Sequence, residues 1–178
     1  MPVTYPPLPQ DPAVEPWLRG TRTEADAVVR AVLHALDLAE EDIAKWCGDL
    51  NDAEVNARPF GLSPVAFHLR HIARSLDRLL SYAEGTQLDA TQKAALRTEL
   101  DPGATRDEVL TELRTALHTS AARIRAFSPE NYNAPRGVGR AQLPTTVAGL
   151  LVHCADHTQR HVGQAVTTAK LLVAMRAS

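Results

Sequence analysis

Three histidines stand four residues apart in LLVHCADHTQRHVGQA, at His153, His157 and His161. Neutral imidazole is the commonest side-chain ligand for transition metals. On a helix, His157 and His161 differ in direction by about 40°, with Cβ atoms about 5–6 Å apart, so two rings can share one ion. His153 lies about a further 40° round, at the edge of the same face. A second pair, His68 and His71, occurs three residues apart in FHLRHIARS. Helical periodicity puts His68 nearer the apolar stripe and His71 at its flank. Catalytic zinc takes three protein ligands and keeps one position open. The His157/His161 pair therefore needs a third ligand from another helix, and the His68/His71 pair can supply it. The alternative is that all five are ordinary polar residues sharing two helix faces.

The neighbours of these histidines narrow the chemistry. HxxxH also occurs inside the HExxH motif of zinc proteases, where the glutamate is the general base. Thr158 stands in that place here, so the protease reading loses its base. Cys154 lies near the same face. A thiolate is a good zinc ligand, but a lone cysteine on a helix usually serves as a small apolar filler, and it is read so here. Gln164, one turn after His161, is placed either to orient a ligand or bound water or to bond a neighbouring helix. His34 and His118 have no histidine partner nearby and are read as structural or surface residues.

Positioning these residues requires helices. Thr21 or Thr23 is a suitable N-cap for a first helix, and Val28, Val32, Leu36, Ala39, Ile43 and Trp46 then recur at helical spacing to Cys47–Gly48. A second helix is expected from Ser63 as N-cap and Pro64 as first residue, with Val65, Leu69, Ile72, Leu76 and Leu79 as its stripe and Gly85 as its end. A short helix is expected over 91–100. The capping box TRDE at 105–108 opens a third long helix, which Ser128–Pro129 stops. Residues 128–144, with RGVGR inside, are expected to be irregular, and a loop of that length is often functional. A fourth long helix starts at Pro144–Thr145–Thr146 and runs to about Val173. No segment alternates convincingly enough for a strand. Six prolines among the first twenty residues exclude a regular helix there. The expected architecture is all-α: an extended Pro-rich arm over 1–20, then one four-helix bundle domain over 21–178 with long connections.

The bulk properties exclude several functions. Of 178 residues, 44% are hydrophobic and 22% charged, as in an ordinary globular protein able to bury a core without a structural metal. Nineteen basic against 21 acidic residues give a net charge of −2, which argues against a phosphate-binding surface for nucleic acid. Three Phe, three Tyr and two Trp are too few for base-stacking platforms. Cys47 and Cys154 match no CxxC motif. No run approaches the roughly 20 apolar residues of a membrane span, and the opening residues lack the features of a secretory signal. A cytoplasmic location is expected, without nucleic-acid or membrane partners.

Two stretches give the chain a familiar form. SPVAFHLRHIARSLDRLL and HCADHTQRHVGQA, with PWLRGT near the N-terminus, make it resemble the DinB/YfiT-like family of four-helix metalloproteins. The resemblance spans most of the chain. It implies three histidines holding a divalent metal, with water completing the shell: His71, selected by the IAR that follows it, together with His157 and His161. His68 and His153 become alternates or partners that orient the ligands. Zinc is the first expectation for the metal, with nickel, iron or manganese as alternatives.

The resemblance also implies activities. The leading expectation is a metal-dependent S-transferase using a low-molecular-weight thiol of the bacillithiol kind and an electrophilic substrate. The alternatives are a hydrolase acting through bound water and a non-catalytic, stress-linked metal-binding bundle. Arg74, Arg136, Arg140 and Arg160 are candidates to hold the carboxylates of such a thiol, because guanidinium pairs with carboxylate in two-pronged fashion. Relatives imply a homodimer.

Overall fold

A computed structural model of the chain describes residues 14–176. Among these the fold is mostly helical: α1 (Ala27–Cys47), α2 (Asp52–Asn56), α3 (Val65–Ala83), α4 (Ala90–Arg97), α5 (Arg106–Ile124) and α6 (Val147–Met175). A two-stranded antiparallel hairpin, β1 (Pro135–Val138) and β2 (Leu143–Thr146), precedes α6. The first 13 residues of the expected arm lie outside the described residues. Within the remainder, Pro16–Leu18 forms a single 3-10 turn.

The four long helices share one core. α6 packs along both α1 and α3, and α5 closes against α3 and α1. Leu33, Ile43, Leu69, Ile72, Leu76, Leu117, Ile124 and Leu151 are fully buried between them. Each such side chain contributes about 1.5–3 kcal/mol by leaving water. On α3 the buried seam runs through Val65, Leu69, Ile72, Leu76 and Leu80, with Leu79 partly buried beside it. This seam holds the face of α3 that carries His68 and His71 against α6.

The helix starts differ from expectation for local reasons. α1 begins after Asp26, whose carboxylate accepts the N–H groups of Val28 and Val29. Thr21 and Thr23 lie too early because Arg22, at φ 57° and paired with Asp37, holds the chain in a turn. Tyr132 also donates its hydroxyl to Asp26, tying the α1 start to the segment before the hairpin. At α3 the N-cap is Pro64 rather than Ser63. The short helix ends at Arg97 and opens on an Asp89–Gln92 capping box.

The hairpin corrects the expectation of an irregular 128–144 segment. Its strands have only four residues each, too short for alternation to register. Both contain proline, which reads as a break in sequence but is tolerated where a strand has a free edge. Gly139 at φ 69° supplies a left-handed residue in the turn. The hairpin delivers Thr146 to the N-cap of α6, where its hydroxyl accepts from Gly149 N at 3.1 Å. Thr146→Ala is expected to lower stability by about 1 kcal/mol, measured as a shift in the urea midpoint at constant slope. No helix of the described residues is long and apolar enough to cross a membrane.

Candidate metal centre

α3 and α6 bring three imidazoles together. One ring nitrogen from each of His71, His157 and His161 lies within 4.8 Å of the other two. Ring centroids are 4.4 Å apart for His71–His161, 4.7 Å for His157–His161 and 4.9 Å for His71–His157. His71 Nε2 and His157 Nε2 approach to 3.2 Å. Phe67, one turn before His71 on α3, stacks on the His71 ring at 5.3 Å.

The opposite nitrogen of each ring is engaged elsewhere. His71 Nδ1 lies 2.7 Å from Glu99 Oε2. His157 Nδ1 lies 3.3 Å from Ser75 Oγ, whose own proton goes to the His71 carbonyl. His161 Nδ1 lies 3.1 Å from His68 Nδ1. With the three Nδ1 atoms held by outer partners, the Nε2 atoms are the nitrogens left for an ion at the cluster. That is the pattern in which outer hydrogen bonds fix the tautomer and orientation of metal-binding histidines. The donor set fits a divalent ion that takes imidazole nitrogen.

The electrostatics keep His68, His157 and His161 neutral. Burial first, and then the charges that neighbouring rings would carry, push His68, His157 and His161 down from 6.5 to about 4. Near pH 7 their lone pairs are therefore free of protons. Burial alone would raise Glu99, but hydrogen bonds from His71 and Arg78, and the charges behind them, outweigh it and keep Glu99 below the ordinary carboxylate range. Arg78 Nη1 reaches Glu99 Oε1 at 2.8 Å. Glu99 is thus a buried carboxylate that steadies His71. Glu99→Gln is expected to weaken metal affinity about 10- to 100-fold, read by competition with a chromogenic chelator.

The remaining sequence candidates are dispersed. His68 is buried and touches His161, whereas His153 is 45% exposed and pairs with Asp156 at 3.4 Å. Gln164 is exposed on α6, in a cleft that His68 and Arg160 also line. Arg160 reaches Asp156 at 2.7 Å through one terminal nitrogen. Arg74 is committed to Glu112 and the Ala95 carbonyl on the α4–α5 side. Arg136 bonds the Ala83 carbonyl, and Arg140 sits exposed in the hairpin turn. Cys154 and Cys47 are free, buried thiols pushed up to about 12 by burial, outside the histidine cluster. Thr158 is buried against the core. His34 is buried beside Thr21, and His118 faces Glu40 at the surface.

Sequence reasoning missed Ser75 and Glu99. Ser75 lies one turn after His71 on the same face of α3, a spacing that signals it. Glu99 follows α4 in a stretch with no periodicity, and nothing local marks it as buried.

Among curated proteins, none matches this chain. The fold is similar to that of a crystal structure of a conserved protein from Enterococcus faecalis, with a TM-score of 0.62 and 23% identity over 84% of this chain and 99% of that one. At that identity the likeness speaks for the fold alone. The sequence profile of the DinB superfamily matches residues 35–165, a span that takes in α3, α5, both histidine pairs and most of α1 and α6. The chain belongs to the DinB superfamily.

Proposed function

We propose that this protein is a three-histidine metalloenzyme on a four-helix bundle, transferring a low-molecular-weight thiol to an electrophile. The observation that carries the reading is the convergence of three imidazoles whose Nδ1 atoms are held by Glu99, Ser75 and His68. A divalent ion on three neutral imidazoles keeps its full charge and lowers the pKa of a ligating thiol, making it a nucleophile near neutral pH. In the transfer, sulfur forms a bond to carbon, the leaving group departs with its electron pair, and the thiol proton goes to solvent. The chain's own part is positional. Phe67 stacks against His71, and the outer hydrogen bonds hold the rings in place before any ligand arrives.

Thiol chemistry is favoured over hydrolysis by the disposition of Glu99. Water attack profits from a free carboxylate as general base. Among the described residues, Glu99 is the carboxylate that touches the cluster, and both its oxygens are taken by His71 and Arg78. The proposal extends to zinc as the metal and a homodimer as the assembly.

The test is a conjugation assay on zinc-loaded, untagged protein with small thiols and an aryl or alkyl halide panel. Product is expected only with both thiol and metal present, with at least about 100-fold loss in His71→Ala, the scale of effect seen when a catalytic interaction is removed. Turnover of an ester or amide panel without thiol would replace this reading with the hydrolase. Metal binding with no turnover on either panel would replace it with a non-catalytic bundle.

A further inference from the structure

A cleft of about 450 Å³ opens beside the histidines, between the start of α3 and the second half of α6. One wall is apolar, from Leu62 and Phe67. The other is polar and comes from α6: Arg160, Gln164 and Thr168, with His68 at the junction. Among the described residues, Arg160 is the only formally charged side chain lining it. Its link to Asp156 uses one terminal nitrogen, which leaves the rest of the fork for a ligand.

Three further features point to an occupant. First, α3 starts at Pro64, which offers no side-chain cap, so the first-turn N–H groups of a 19-residue helix have no side-chain acceptor beside the cleft. Second, His68 is 95% buried yet incompletely bonded. Its Nδ1 faces His161 Nδ1 at 3.1 Å; with the His161 proton on that nitrogen, as an ion on His161 Nε2 requires, the His68 proton sits on Nε2, which has no partner among the described residues and is not sealed from approach. Third, Gly163 lies inside α6 at the cleft. A Cβ built there meets nothing within 4 Å. Packing therefore does not require glycine, although glycine in a helix interior is unfavourable by about 1 kcal/mol relative to alanine. What the missing side chain keeps is the open volume of the cleft.

We propose that this cleft binds a small amphipathic carboxylate, its anionic end toward Arg160 and the α3 N-terminus, its apolar body against Leu62 and Phe67, and an oxygen accepting from His68 Nε2. The occupant is then two hydrogen bonds from His161. The cleft so becomes the subsite for the acidic part of whatever molecule reacts at the histidines. This last link and the placement of the His68 proton on Nε2 rest on the metalloenzyme reading; the roles of Arg160 and of the open volume at Gly163 do not.

The experiment uses octanoate as probe and 1-octanol as its uncharged control, with binding followed by titration calorimetry and metal content measured on the same samples. Octanoate is expected to bind wild type at least ten-fold more tightly than octanol. Arg160→Gln is expected to remove that preference. Gly163→Leu places its Cβ in open space at the cleft and is expected to abolish octanoate binding while metal content stays at the wild-type value and the melting temperature does not fall. Equal octanoate binding in wild type and Gly163→Leu overturns the proposal, as does no binding at millimolar octanoate. Octanoate binding that follows this pattern in a protein without metal supports the cleft and overturns the metal reading instead.

Discussion

His157→Ala is expected to leave a folded helical protein that no longer holds metal. Untagged wild type should carry about one equivalent of a divalent ion after loading and desalting, and the variant none. The expected loss of affinity is at least about 100-fold, because removing even an outer partner of a ligand costs 10- to 100-fold and this change removes a donor itself. His157 is chosen because its ring is only partly buried and sits at the edge of the core, so alanine leaves little unfilled volume. Its Nδ1 partner, Ser75, keeps its bonds to the His71 and Ile72 carbonyls, so no buried hydroxyl is orphaned. The matched control is His153→Ala. His153 is one turn away, in ring contact with His157 at 5.4 Å, but exposed and paired with Asp156. It should keep full metal content. Equal metal in wild type and His157→Ala would return the cluster to polar packing.

How far the sequence anticipates this site depends on the range of the signal. Two histidines at i, i+4 on a strongly periodic helix must share a face, so the His157/His161 pair was legible. The choice on α3 was harder. Periodicity ranks residues by depth, and His68 is indeed the deeper of the two, at 5% exposure. The cluster lies at the margin of the core, where the flanking His71 reaches it while His68 ends up behind His161. Depth therefore does not rank the members of a cluster that lies at that margin. The motif resemblance selects His71 without reference to depth, which periodicity alone cannot do. Glu99 illustrates the opposite limit. It is brought to His71 by the return of the chain after α4, a contact 28 residues apart in sequence that no local pattern encodes. The hairpin before α6 was invisible for a further reason. Its strands gain stability by pairing with each other and by joining α3 and α6 at their ends, not from residue alternation.

The metal-free protein is expected to lose stability steeply between about pH 6.5 and pH 4. His68, His157 and His161 titrate near 6.5 in the unfolded chain but are held at about 4 in the fold, first by burial and then by the positive charge of neighbouring groups, His71 and His161 for the first two and His71 and Arg160 for His161. Within that window the unfolded state binds protons that the folded state refuses. Stability therefore rises with pH across it, is fully present above about 6.5, and is lost as pH falls toward the folded values. Each histidine contributes a slope of up to about 1.4 kcal/mol per pH unit. His157 and His161 fall short of that because solvent screens partly exposed groups, and His68, the most buried, comes nearest. The depressed carboxylates, Asp26 and Glu99 among them, act with the same sign but below the ordinary carboxylate range, so they steepen the loss only under about pH 4. Urea midpoints taken at half-unit steps should trace this curve, and His68→Gln should flatten it while keeping an acceptor for His161. Metal-loaded protein should fall more steeply still, since protons then compete with the ion for the same three Nε2 atoms. A midpoint that stays level from pH 6.5 to 4.5 in the metal-free protein would mean that the rings are already charged in the fold, and would remove the neutral-imidazole basis for the metal centre.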